Sequence, residues 1–121
     1  MAPERRITLD QIDYDEDLRA IFDGERIDGE VVEVDSQGRT VTSTTFANGL
    51  RDGPDREYYP DQRLKAEYLY RTGLPHGIAR TWHPNGALAR ELTYERGEVL
   101  AERAWSEDGT EVDPKTGQPV G

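Results

Sequence analysis

The sequence predicts a mainly β protein, an open, curved and twisted antiparallel meander of about four repeated β-hairpins. Three observations point there. The chain repeats itself with a period of about 24 residues, since Asn48-Gly49-Leu50-Arg51-Asp52-Gly53 returns as Thr72-Gly73-Leu74-Pro75-His76-Gly77. Turn-forming residues fall at fixed places in each unit, most plainly in Pro84-Asn85-Gly86, where proline presets one backbone angle and Asn-Gly accepts the positive φ of a tight turn. Between the turns, apolar and polar side chains alternate with a period of two, the spacing of a half-buried strand.

Taken in order, residues 1–17 read as an acidic N-terminal arm, and no secondary structure is assigned to residues 1–9. The repeat domain is expected over 18–112, with strands near 18–22, 30–35, 40–46, 55–59, 64–71, 78–83, 88–95 and 99–105. In its first unit Gly29 precedes Gly53 by one period, Gly38 falls opposite Gln62, and Phe46 opposite Tyr70. The two central units align from Arg56 through Leu64 onto Arg80 through Leu88, and Glu67 and Tyr70 onto Glu91 and Tyr94. A fourth begins at Arg96-Gly97, with Trp105 and Gly109 one residue short of the ideal offset. Inward rows are expected from Leu64, Ala66, Tyr68 and Tyr70 and from Leu88, Arg90, Leu92 and Tyr94. The first strands add Val32 and Val34, Tyr58, Ile78 and Trp82, and Ala101 and Trp105. A lone hairpin is marginal in water, so neighbouring units must pair edge to edge and share one apolar face. Residues 113–121 read as a flexible C-terminal tail.

Composition sets the limits on this reading. The 121 residues hold 23 Leu, Ile, Val and Phe, and a formal net charge of -10. That combination borders on disorder, because little apolar surface is on hand to offset chain entropy. Six Tyr and two Trp supply the missing buriable area. One domain is expected. No stretch has the roughly 20 apolar residues of a membrane-spanning helix, and the start lacks the apolar segment of a signal peptide, so the cytoplasm is the expected location. With no Cys there is no disulfide or thiolate chemistry. The negative charge argues against nucleic acid and anionic bilayers and favours a basic partner.

The charge is unevenly spread, with 12 acidic and 4 basic side chains in residues 1–35. Its densest run is 10–17, with five carboxylates in eight positions. Within it Asp13-x-Asp15-x-Asp17 opens like a calcium loop, but Leu18 stands where the sharp turn needs Gly, and Gly24 where the bidentate Glu belongs. No metal or other cofactor is expected, because His76 and His83 are the only histidines. No catalytic residue is assigned: Ser36, Ser43 and Ser106 lie in no nucleophile frame, and the glycines recur with the repeat as turn residues do. The chain is read as a non-enzyme. The candidate partner-binding residues are Asp13, Asp15, Glu16 and Asp17 of the acidic run, which would steer a basic surface, and Glu57, Tyr59, Glu67, His83 and Glu91, placed on the face opposite the core rows.

The units 48–71 and 72–95 each run Gly-Leu-x-x-Gly, then Tyr-Tyr-Pro-Asp or Trp-His-Pro-Asn-Gly, then Leu-x-x-Glu. In this they resemble the bacterial variant of the MORN repeat. Over residues 10–112, with Asp13-Tyr14-Asp15, Gly24 and Gly29 included, the chain is similar to the YwqK-type antitoxin and immunity family. Two departures, Gln62 in place of the turn Gly and Val99-Leu100-Ala101 where a Gly would close the motif, bear on local turn geometry. The resemblance implies an antitoxin or immunity protein that binds a cognate toxin and occludes its active site, with a basic nuclease or deaminase as candidate partners. The alternative drawn from the wider repeat class is a scaffold or membrane-associated module, against which the net charge of -10 counts.

Overall fold

A computed structural model describes residues 7–120. The expectation of no secondary structure over residues 1–9 lies outside the described residues for 1–6 and is corrected for 7–9, where Ile7–Thr8 pair as a strand along residues 31–32 and Leu9 opens a 3-10 turn. Strands β1 (Ile7–Thr8), β2 (Asp13–Tyr14), β3 (Ala20–Phe22) and β4 (Glu25–Arg26) precede the longer β5 (Gly29–Val34), β6 (Thr40–Ala47), β7 (Leu50–Tyr58) and β8 (Leu64–Arg71). Then follow β9 (Leu74–Pro75), β10 (Gly77–Trp82), β11 (Leu88–Glu95), β12 (Glu98–Trp105) and β13 (Glu111–Val112). There is no α-helix among the described residues, and a single 3-10 turn spans Leu9–Gln11. The expected mainly β, open, hairpin-built sheet is what the chain forms. Ten strands make one sheet in the order β1-β5-β6-β7-β8-β10-β11-β12-β13, with β9 also pairing on β8. All its contacts are antiparallel except that of β1 along β5. Strands β2, β3 and β4 form a separate small sheet.

The 24-residue period is written into the backbone hydrogen bonds. At one end of the sheet, the Gly49 N–H donates to the Ile27 carbonyl, Gly73 to Arg51 and Gly97 to Pro75, at 2.9, 2.7 and 3.0 Å. Each of these glycines is the second residue of a two-residue turn with positive φ at both positions: Asn48-Gly49, Thr72-Gly73 and Arg96-Gly97. Such a turn matches the right-handed twist of the strands that flank it. At the other end, five-residue turns close with the N–H of Asp35, Tyr59, His83 and Ser106 bonded to the carbonyl of Arg39, Arg63, Ala87 and Thr110. Asp15 and Arg19 make a further copy of the same turn. Gln62 departs from the glycine of its neighbours yet keeps the turn. It holds φ +72, its N–H bonds the Tyr59 carbonyl, and its side chain exchanges bonds with the Thr40 backbone at 3.3 and 3.0 Å.

One packing expectation is corrected. Residues paired in register across a sheet share a face. Ala79 lies opposite Leu92, and Thr81 lies opposite both Ala66 and Arg90, whereas Ile78 is paired with Thr93 and Ala101 with the same Thr93. Ile78 and Ala101 therefore stand on the face opposite the Leu92 and Tyr94 row, and Ile78 is 41% exposed while Ala79 is 1% exposed. The cause is a recurring bulge at Glu33/Val34, Glu57/Tyr58 and Thr81/Trp82, one per hairpin and 24 residues apart. A bulge adds one residue to one strand and breaks the period of two there, so alternation read straight through it assigns the wrong face.

The fully apolar core is small and sits at the N-terminal end, where Ala20, Ile27, Val31 and Phe46 are buried with Ile7, Ile12 and Phe22 against them. Elsewhere Ala66, Ala79 and Ala104 are buried, and Tyr58, Tyr70, Trp82, Tyr94 and Trp105 are half-buried. At the C-terminal end, the Asp113 carboxylate accepts the N–H of Lys115 and Thr116, turning residues 113–120 back so that Pro119 bridges Val112.

Candidate functional site

The two faces of the sheet differ in what they leave available. On one face, Ser43, Arg56, Glu67, Arg80, Glu91 and Arg103 stand in register across consecutive strands β6, β7, β8, β10, β11 and β12. From Arg56 onward the charge alternates at every step. Arg56 bonds Glu67 at 2.6 Å, Arg80 bonds Glu91 at 3.0 Å, and Arg103 bonds Glu111 at 2.7 Å. Glu67 and Glu91, expected to face a partner, are thus neutralised within the sheet. The repeat explains the ladder, because Arg56 and Arg80, like Glu67 and Glu91, are one period apart.

The other face carries an open groove of about 380 Å³ over strands β5 to β8. Its floor is a second in-register row, Glu33, Thr42 and Glu57, with Val31, Thr44, Asp55 and Tyr68 beside it. Tyr70, Arg51 and Leu9 complete the lining. The Thr44 hydroxyl donates to Asp55 at 3.1 Å, and Arg51 lies 3.9 Å from Asp55 and 5.3 Å over the Tyr70 ring. Burial pushes the Tyr68 phenol above its ordinary value, so it stays a neutral donor at physiological pH. Glu33 and Glu57 enter no ion pair among the described residues. Across two strand spacings their backbones are about 10 Å apart, leaving room for a cation between the carboxylates.

The remaining candidates are placed as follows. Asp15 is an internal turn acceptor: it takes the N–H of Asp17 and Arg19 at 2.9 and 3.0 Å, and Arg26 pairs with both Asp15 and Asp17. The Arg19 N–H above all, and then Arg26, hold the Asp15 carboxyl below its usual value. Asp13 is exposed on β2 of the small sheet and Glu16 in the turn between β2 and β3. Tyr59 donates its hydroxyl to the Trp82 carbonyl at 2.6 Å, and His83 reaches the Trp105 carbonyl at 2.7 Å, so both serve the turn end of the sheet. Of the nine candidates only Glu57 lines the groove, and its expected place opposite the core rows is corrected: it is paired with Ala66 and so shares the face of Ala66, Tyr68 and Tyr70. Glu33, Asp55, Tyr68 and Tyr70 join it there; Glu33 was legible as the residue one period before Glu57, while Asp55 has no acidic equivalent.

Among the described residues no group of three or more His, Asp or Glu is arranged to hold a metal ion, and no helix is long and apolar enough to cross a membrane. No protein-family model matches the chain, and neither the curated proteins nor the solved structures contain a significant match to it.

Proposed function

We propose that the chain is a non-enzymatic binding protein that captures a basic protein in the groove over β5 to β8, and that within this class it acts as a cytoplasmic antitoxin or immunity protein. The observation that carries the reading is the row Glu33-Thr42-Glu57 beside Tyr68 and Tyr70. Carboxylates without cationic partners attract a Lys or Arg over distance and speed encounter. The tyrosines then supply contact area at low entropic cost, and ring faces suited to a cation. The ladder face is self-neutralised and offers no such pull. A toxin held by a basic active-site rim would be blocked sterically, which agrees with the resemblance of the repeats to YwqK-type antitoxins. Co-expression with the product of the adjacent gene tests the reading: cells survive with the intact chain and die with the Glu33→Lys, Glu57→Lys variant. Equal killing with and without the intact chain would sink it.

A further inference from the structure

We infer that the outer edge of β12, from Glu98 to Arg103, is a strand-addition site for an extended basic segment of a partner protein. In the first three units the second strand, β6, β8 or β11, is eight residues long. Its counterpart in the fourth unit, β13, has two. The Asp113-Pro114 turn is the reason: Asp113 captures the next backbone N–H groups, and the chain returns along the far side of β13, where Val120 N–H bonds the Glu111 carbonyl. β12 therefore pairs with β13 only at Ala104 and Trp105, and its other neighbour, β11, lies on the opposite side. From Glu98 to Arg103 the outer edge has no strand partner among the described residues.

An edge of this kind presents free backbone donors and acceptors, which is what an added strand needs, and its one irregularity is a bulge at Leu100, the extra residue opposite Thr93 and Tyr94. Its side chains fit the same role. Val99 and Leu100 are 50% and 59% exposed. Beside them Glu95 and Glu98 are directly paired in register, two like charges face to face, and neither enters an ion pair among the described residues. Like charges so placed destabilise a hairpin. A lysine or arginine on an added strand would sit next to Glu98 and relieve that repulsion, while the apolar residue that alternates with it would cover Val99 and, through the bulge, Leu100 beside it. A second copy of this chain is disfavoured, because it would bring its own Glu98 and a net charge of -10 to the same edge. This edge lies three strands beyond the groove, so it stands or falls independently of the function proposed above.

The test uses the whole protein, with backbone amide NMR signals followed as a capped Lys-Val-Lys-Val-Lys-Val peptide is added. The expected result is saturable shifts confined to Glu98–Arg103 and adjoining β11, absent with the same peptide N-methylated at alternate residues. Leu100→Lys should weaken binding about tenfold or more; if that variant does not fold, Glu98→Lys serves in its place. No shifts, shifts centred elsewhere, or equal binding of the N-methylated peptide would overturn the proposal. So would concentration-dependent shifts of the same amides without peptide, which would assign the edge to a second copy.

Discussion

Tyr59 and His83 stand one repeat apart and perform the same task with different chemistry. The phenol of Tyr59 donates to the carbonyl of Trp82, and the imidazole of His83 meets the carbonyl of Trp105, each aromatic residue ending the next first strand. A carbonyl only accepts, so Nε2 of His83 is the donor in this contact. Arg63 and Asn85 extend the series by donating to Pro84 and Glu107 carbonyls in the following turn.

Tyr59→Phe removes only the donor and leaves the ring in place. It should cost about 1 kcal/mol, the usual net worth of a hydrogen bond in a partly buried setting. Urea titration followed by tryptophan fluorescence reads this as a lower midpoint with unchanged slope. An unchanged midpoint would mean that water replaces the phenol at the Trp82 carbonyl without loss.

The charge ladder predicts coupling that salt erodes. A double-mutant cycle on Arg80→Met and Glu91→Gln should return roughly 0.5 kcal/mol of interaction at low ionic strength, since Arg80 and Glu91 side chains are 45% and 25% exposed. The coupling should shrink toward zero in about 1 M salt, where the screening length is about 3 Å. Coupling that persists in salt would point to packing rather than charge.

Gln62 combines a left-handed backbone with two bonds to Thr40. Gln62→Ala keeps the backbone penalty and loses the bonds, so it should destabilise by about 1 to 2 kcal/mol. In Gln62→Gly, relief of about 1 kcal/mol of left-handed strain largely offsets the same loss. The ordering wild type ≈ Gly > Ala in denaturant midpoint checks the assignment.

Acid should weaken the turns in a defined window. Asp15, Asp35, Asp61 and Asp108 all have lowered values in the folded chain. For the first three, backbone N–H groups are the leading cause. For Asp108 it is the Ser106 hydroxyl, and the value falls to about 2. A carboxyl with a lowered folded value binds its proton more readily when unfolded, so its stabilisation is complete above the ordinary 3.8 and fades as pH falls toward about 2. The denaturant midpoint should drop across that interval, and Asp108→Asn should flatten the lower part of the curve.

The fold was legible because its period is set by turns, and turns have local chemistry. Strands 64–71 and 88–95 lie where alternation and the flanking Gly and Pro place them. The faces were not fully legible: a bulge such as Thr81/Trp82 arises from the pairing of two strands, and nothing in Ile78-Ala79-Arg80-Thr81 announces it. The acidic run misled in a similar way. Asp15-x-x-x-Arg19 is the same turn as Asp35-x-x-x-Arg39, so part of that charge belongs to the backbone before any partner can use it. Arg26, which holds Asp15 and Asp17, is distant enough in sequence that only the fold brings it there.

The smallness of the apolar core has a calorimetric consequence. Of the eight buried hydrophobic side chains among the described residues, four are alanines, and the long face of the sheet is ruled by arginine and glutamate. Unfolding such a chain exposes little hydrocarbon to water and much polar surface, and these contribute to the heat capacity with opposite signs. Its heat-capacity increment should therefore fall below the customary 12 to 15 cal/mol/K per residue, giving a broad, shallow stability curve. Warming and cooling alike would then change its folded fraction slowly.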